Sequence, residues 1–228
     1  MRGIKEAQNK TASGIMIERI VHWSLNGVAQ APFLCTPDAL VDLAAGHLLT
    51  TGRVSSYEDI KEIKLLDKRI SVFTTGNAAP PCPIDERLSG LTPLQSNLTI
   101  SLQKLREYAD RLTGEESFYG THRIMLHSKQ EEITCEDIGR HNAADKVIGA
   151  AARMGWDFSQ CLMGATGRIS LEILFKAAVM GIPVLFSKKY PSDLAGSEAD
   201  RLHIAIAGKI QSAEPELSGA VYRFEMDG

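Results

Sequence analysis

The sequence lacks the features that mark several classes of protein. No uninterrupted apolar run approaches the roughly 20 residues of a membrane span, and the first residues, MRGIKEAQNKTASG, lack the apolar core of a signal peptide. Lysine and arginine form no cluster and the net charge is −3, so the positive surface typical of nucleic-acid binding is missing. We therefore predict a cytoplasmic protein that binds neither a membrane nor nucleic acid.

Cysteine is also scarce and widely spaced. The four cysteines, Cys35, Cys82, Cys135 and Cys161, include no CxxC pair, so neither structural disulfides nor a structural zinc site is expected in a cytoplasmic chain. Three of them lie in apolar or strand-like segments, where burial is the ordinary outcome. Cys82 lies instead between two prolines in a polar segment, PPCPIDE, where it is expected to be accessible.

The chain divides at a long proline-rich segment. Its 228 residues, 44% hydrophobic and 23% charged, have an ordinary globular composition, which excludes collagen-like, disordered and coiled-coil proteins. Residues 76–97 hold four of the nine prolines and predict a long loop. We place a small α+β domain at residues 1–95, with a helix capped by Thr36 and a strand near residues 69–75.

Residues 96–228 predict a second domain of the α/β class. An amphipathic helix is followed by two paired strands, HRIMLHS and EITCEDIG, and then by a helix that Asn142 can cap. Strands and helices of about 10–15 residues alternate from there, ending in the predicted strands HIAIA and AVYRFE. This alternation predicts a sheet covered by helices on both faces, a three-layer α/β/α domain.

Polar residues gather where two strands of this domain meet their helices. The segments are CEDIGRHNAADK, with Arg140 and His141, and GATGRISLE, with Arg168. Helix N-termini at the carboxyl ends of strands suit phosphate, and arginine can bind it through two hydrogen bonds. The alternative is structural, with Arg140 paired to Glu136 or Asp137. Spacing alone supports an anionic-ligand site and leaves both interpretations open.

Three blocks in order resemble a known family. CTPDALVDLAAGHLLTTGRV, EDIGRHNAADKVIG and GRISLEILFKAAVMGIPVLF are similar to segments of the formate dehydrogenase accessory proteins, the FdhD/NarQ family. The resemblance runs from about Asn26 to the C-terminus. It implies a cytidine-deaminase-like second domain, a homodimer, and a sulfurtransferase-type relay through a cysteine persulfide. Sulfur from a cysteine desulfurase would pass to the molybdenum cofactor, a bis-molybdopterin guanine dinucleotide, before its insertion into formate dehydrogenase.

The resemblance also implies roles for particular residues. Cys82 would carry the persulfide. The cofactor, whose pyrophosphates suit the anionic site, would contact Arg140, His141, Asn142, Arg168 and Lys209. Lys209 is the basic residue left in AIAGKI, where the family has a GF-x-R stretch.

The chain departs from the family at the reactive loop. The family has a CxxC motif there, but here Asp85 stands where the second cysteine is expected. Asp85 and Glu86 are expected to raise the pKa of the Cys82 thiol, with Arg87 as the nearest compensating charge. Two functions therefore stay open: a sulfur carrier that relies on Cys82, or a non-catalytic module that binds the cofactor or the apo-dehydrogenase. Zinc is not expected, because the HxE and PCxxC motifs of zinc deaminases are missing.

Overall fold

The computed structural model describes residues 15–113, 120–129 and 131–225; the start of the chain, whose lack of an apolar core was noted above, lies outside them. The helices within these ranges are α1 (Leu40–Thr50), α2 (Ile84–Ser89), α3 (Leu102–Thr113), α4 (Arg140–Arg153), α5 (Leu171–Met180) and α6 (Asp193–Leu202). The strands are β1 (Arg19–Val21), β2 (Trp23–Leu25), β3 (Val28–Ala29), β4 (Phe33–Cys35), β5 (Ile60–Leu66), β6 (Arg69–Thr74), β7 (Ile100–Ser101), β8 (His122–Ser128), β9 (Glu131–Asp137), β10 (Cys161–Ala165), β11 (Val184–Ser187), β12 (Ala205–Gly208), β13 (Glu216–Gly219) and β14 (Phe224–Glu225).

The second half of the chain is built on a six-stranded sheet in the order β13-β12-β11-β10-β8-β9. Strands β10, β11 and β12 are parallel, and the other pairs are antiparallel. Successive side chains point to opposite faces: Ile124 and Leu126 pack with α4, α5 and α6, while Met125 packs with α3. The predicted mixed α/β class is confirmed.

The first half forms its own core around α1. A four-stranded sheet, in the order β3-β2-β6-β5, and the β1–β4 pair enclose side chains such as Trp23, Leu43 and Val72. The strand predicted near residues 69–75 is confirmed as β6. Helix α1 also packs on α4, where Gly46 and Gly149 allow the two backbones to touch. The boundary at residue 95 stays a prediction.

Two predicted helix caps are wrong. Helix α1 begins at Leu40 after Ala39, which has a left-handed backbone (φ 45°), and α4 begins at Arg140 after Gly139. Thr36 instead binds β9: its backbone N–H donates to Asp137 Oδ2 at 3.1 Å. The Asn142 amide likewise donates to the Leu34 carbonyl at 2.7 Å and to Asp137 Oδ1 at 3.1 Å. The Thr36 hydroxyl also accepts the Ile138 N–H at 3.2 Å, so both side chains serve the contact between the two halves and are not available to cap a helix.

The predicted loop and the predicted last strand also differ in detail. Residues 76–97 contain the short helix α2, and the Arg201 guanidinium fixes this segment through the carbonyls of Leu88 and Leu91 at 2.8 and 3.0 Å. AVYRFE forms a 3-10 turn over Val221–Arg223 before β14. Arg223 is buried there, and its guanidinium binds backbone carbonyls, a contact that sequence periodicity does not show.

Candidate functional site

A cavity of about 510 Å³ opens between α1, α2 and α5, and Cys82 lies on its wall. Helix α1 contributes His47 to the lining, and α5 contributes Glu172 and Lys176. Cys82 is exposed, whereas Cys35, Cys135 and Cys161 are all buried, as the sequence predicted. Burial raises the pKa of the thiols of Cys35 and Cys135 to about 12 and that of Cys161 to about 11. Cys82 is therefore the cysteine placed to react with a molecule in solution.

Helix α2 holds Cys82 at the cavity. It begins two residues after Cys82, and its Arg87 donates to the Thr50 carbonyl of α1 at 3.2 Å. The same guanidinium lies 4.9 Å from the centre of the Phe175 ring of α5, a cation–π contact. Leu88 is buried in the core beside them. These contacts link the reactive segment to both helices that line the cavity.

The surroundings of Cys82 keep its thiol protonated. Its Sγ donates to Glu86 Oε2 at 3.6 Å. Partial desolvation, this hydrogen bond and the Glu86 charge raise the pKa of Cys82, and the Arg87 charge opposes them. The direction is the one predicted from Asp85 and Glu86. Because the thiolate is the nucleophile in sulfur exchange, Cys82 needs a base or a positive charge to react quickly.

A buried charged network lies next to the cavity. Asp145 of α4 is 2% exposed, and its Oδ1 is 2.7 Å from both Lys176 Nζ and Thr50 Oγ1. Its Oδ2 lies 3.4 Å from His47 Nδ1. Burial alone would raise the pKa of Asp145, but the Lys176 ammonium and the His47 contact lower it to about 2. No local sequence motif marks this group, because its members are far apart in the chain.

The five residues predicted to bind the cofactor lie at one end of the main sheet, where its parallel strands finish. We call this end the sheet edge. β10, β11 and β12 end there, β8 begins there, and the turn after β9 leads there into α4. Arg140 and His141 open α4, the exposed Arg168 precedes α5, and Lys209 follows β12. The loops are joined by hydrogen bonds, from Ser187 Oγ to the Gly167 carbonyl at 2.7 Å and from the Lys209 N–H to the Lys189 carbonyl at 3.2 Å.

Buried polar atoms at this edge lack hydrogen-bond partners within the described part of the chain. They include Arg140 Nε, His141 Nε2 and Ser170 Oγ. His141 Nε2 does lie 3.3 Å from Glu172 Oε2, close enough for a charge interaction but without hydrogen-bond geometry. Burial and the neighbouring Arg140 lower the pKa of His122, and burial is also the main cause of the lowered pKa of His141. Buried donors without a protein partner are suited to bind an anionic ligand.

The structural alternative for Arg140 is weakened by the partners of its acidic neighbours. Glu136 Oε2 pairs with Arg123 Nε at 3.2 Å, and Asp137 Oδ2 pairs with the buried Lys146 Nζ at 2.7 Å.

Two other residues predicted to bind the cofactor already make side-chain hydrogen bonds. The Asn142 amide is already bound between the two halves of the chain. Lys209 Nζ donates to the Tyr190 hydroxyl at 2.9 Å, a contact that raises its pKa.

Residues 15–113, 120–129 and 131–225 contain no candidate metal cluster and no candidate membrane-spanning helix. Among these residues, no group of three or more His, Cys, Asp or Glu side chains is arranged to hold a metal ion. No helix in these ranges has both the length and the apolar character needed to cross a membrane.

Comparisons with known proteins identify several similar chains. The chain is 29% identical over 210 residues to a sulfur carrier protein FdhD of Geobacillus kaustophilus, covering 81% of this chain and 80% of that protein. It is 26% identical over 202 residues to a protein of the same name from Methanothermobacter thermautotrophicus, covering 82% of each. A crystal structure of a putative formate dehydrogenase accessory protein from Desulfotalea psychrophila superposes with a TM-score of 0.82 at 25% identity, over 92% of this chain and 90% of that one. The FdhD/NarQ family model matches residues 16–222, and the chain belongs to that family.

Proposed function

We propose that this protein is a sulfur carrier that supports formate dehydrogenase, with Cys82 as the residue that holds the sulfur. The observation that carries the proposal is the position of Cys82, the exposed cysteine on the wall of an open cavity, while the other three are buried. A persulfide relay needs one accessible thiol that accepts a sulfur atom and later releases it. The names of the similar proteins, sulfur carrier protein FdhD and formate dehydrogenase accessory protein, support the same role.

The recipient we propose is the molybdenum cofactor, a bis-molybdopterin guanine dinucleotide that is cargo here. Its pyrophosphates suit the sheet edge that carries Arg140, His141, Arg168 and Lys209. Two α-helices of 14 and 10 residues begin at this edge, and both bring N–H groups to it. His141 lies beside Glu172, which also lines the Cys82 cavity, so the two sites adjoin.

The remaining features of the proposal follow the family resemblance. A cysteine desulfurase would supply the sulfur and formate dehydrogenase would receive the finished cofactor. The protein would act in the cytoplasm as a homodimer, with a main domain layered like cytidine deaminase but holding no zinc. The helices on both faces of the six-stranded sheet are compatible with that layering.

Intact-protein mass spectrometry tests the role of Cys82. The protein is incubated anaerobically with a cysteine desulfurase and cysteine, beside the variants Cys82→Ala and Cys161→Ala. Wild type and Cys161→Ala should gain one sulfur atom, and Cys82→Ala should gain none, because Cys161 is buried and has a pKa near 11. No gain in wild type, or an equal gain in Cys82→Ala, would contradict the proposal.

The second candidate function, a binding module without sulfur transfer, is favoured by the raised pKa of Cys82 and by Asp85 in place of a second cysteine. It predicts that the sheet edge still binds its ligand when Cys82 is replaced. The module would become the better description if wild type gains no sulfur yet binds the cofactor.

Binding of guanosine diphosphate, measured by calorimetry, tests the anionic site under both functions. Arg140→Gln and Arg168→Gln should each weaken binding by about 10- to 100-fold, because a hydrogen bond to a charged group contributes about 1.5–3 kcal/mol. Arg69→Gln, which removes an exposed arginine from β6 in the other half of the chain, is the matched control. Equal affinity in all four proteins would place the anion elsewhere.

A further inference from the structure

The cavity beside Cys82 contains a histidine that the sequence analysis did not assign. His47 of α1 lines this cavity, and its side chain is 32% exposed. Its Nδ1 faces the buried carboxylate of Asp145 at 3.4 Å. The Trp23 and Phe33 rings meet the imidazole nearly edge-on, with centroids at 5.6 and 5.2 Å. The ring is therefore held in one orientation by a carboxylate and two aromatic side chains.

The contact with Asp145 sets the chemistry of His47. Because Nδ1 faces the carboxylate at 3.4 Å, Nε2 is the ring nitrogen left to take a proton. Lys176 and Thr50 bind the other oxygen of Asp145, so the carboxylate cannot turn away. A carboxylate placed in this way also stabilises the imidazolium that forms on proton uptake.

Cys82 has the complementary requirement. Its thiol is kept protonated by desolvation and by Glu86, as described above, and the thiolate is the form that attacks sulfur. The carboxylate of Glu86 is too weakly basic to ionise a thiol efficiently, since its ordinary pKa is several units lower. An imidazole, with an ordinary pKa near 6.5, is the better match.

We infer that His47 is the proton acceptor for Cys82 in sulfur transfer, with Asp145 as its positioning residue. The inference deepens the proposed function and depends on it. The Cys82 thiol gives its proton to His47 Nε2, and the thiolate attacks the outer sulfur of a persulfide donor, R–S–SH. A bond forms between Cys82 Sγ and that sulfur while the S–S bond of the donor breaks. The electron pair leaves on the inner sulfur of the donor, which takes the proton from His47, so no oxidant or reductant is consumed.

Other charged groups face this pair from the neighbouring elements. They are Asp85, Glu86 and Arg87 beside Cys82, and Arg53, Glu172 and Lys176 around the cavity. These groups are carboxylates, guanidinium groups and an ammonium, so His47 is the imidazole among the groups that line the cavity.

The test uses glutathione persulfide as a defined donor and follows the gain of one sulfur atom on the full chain by mass spectrometry. His47→Asn keeps an N–H that can reach Asp145 but removes the basic nitrogen. Its transfer rate near pH 7 should be about 10²-fold below wild type, the lower end of the range for general base catalysis. The deficit should shrink as the pH rises past the thiol pKa, because Cys82 then ionises without help. His22→Asn, which changes an exposed histidine outside the cavity, should match wild type.

The outcomes separate this inference from the proposed function. If wild type gains no sulfur, the carrier function itself fails. If wild type gains sulfur and His47→Asn matches it at every pH, His47 is not the base. A deficit that stays constant with pH would also overturn the inference, because it would show a packing role.

A measurement on the wild-type protein alone covers the case in which the variants do not fold. The rate of Cys82 alkylation by iodoacetamide should depend on pH below the thiol pKa as well as at it, because a base then assists ionisation of the thiol. A single step at the thiol pKa would refute the assignment.

Discussion

Replacement of Gly46 by alanine tests whether the contact between α1 and α4 determines the geometry of the cavity. A Cβ at Gly46 would overlap the Asp145 carbonyl oxygen and lie 2.9 Å from the Gly149 backbone nitrogen. Both neighbours are main-chain atoms of a helix, so no side-chain rotation can relieve the overlap. Gly46 also directly precedes His47. The overlap is with the backbone of Asp145, whose carboxylate contacts His47.

Two effects of opposite sign compete in this variant. Alanine is favoured over glycine in a helix interior by about 1 kcal/mol. Overpacking in a well-packed interior typically costs about 1–3 kcal/mol, and a backbone overlap belongs at the upper end. The net expectation for Gly46→Ala is a loss of about 2 kcal/mol in the free energy of unfolding.

Gly196→Ala is the matched control, and urea unfolding followed by circular dichroism is the assay. Gly196 also lies inside a helix, α6, but a Cβ there would meet Ser218 at an ordinary 3.7 Å. This variant should gain up to about 1 kcal/mol. The two substitutions should therefore shift stability in opposite directions. A Gly46→Ala protein that is as stable as Gly196→Ala would refute the close contact between α1 and α4.

Two further predictions concern a buried carboxylate and a helix cap. The pKa of Asp145 is about 2 in the folded chain against an ordinary 3.8, so its ionisation contributes about 2 kcal/mol of stability above pH 3.8 that is lost as the pH falls through 2. The chemical shift of its carboxyl carbon should titrate below about pH 3, and a midpoint near 3.8 would contradict the network. Ser192 Oγ accepts the Ala195 N–H at 3.2 Å and caps α6, so Ser192→Ala should lower the free energy of unfolding by about 1 kcal/mol. Ser197→Ala, at an exposed position in the same helix, should lower the free energy of unfolding by less in the same urea titration. An equal loss in the two variants would contradict the cap.

The sequence was sufficient for features set by local periodicity. HRIMLHS and EITCEDIG were predicted as paired strands, and β8 does pair with β9. The exposure of Cys82 between two prolines, and the upward direction of its pKa, followed from its immediate neighbours. Glu86 is only four residues away, so its charge acts on Cys82 whatever the rest of the chain does.

Features that depend on distant residues were not visible in the sequence. Thr36 and Asn142 looked like helix caps, yet the two halves of the chain use them to bind each other. Asp145 belongs to a helix that the sequence predicts, yet no local pattern shows that it is buried against Lys176, Thr50 and His47. A local sequence pattern does not show which distant residues will bury and pair with a charged side chain.

The sequence by itself therefore determined the mixed α/β class, the burial of three cysteines and the family to which the chain belongs. The tertiary structure alone decided that α1 and α4 touch at two glycines, which brings His47 to Asp145 and both to the cavity of Cys82. The physical reason is that buried charges must be paired, and only the packed chain determines the partners.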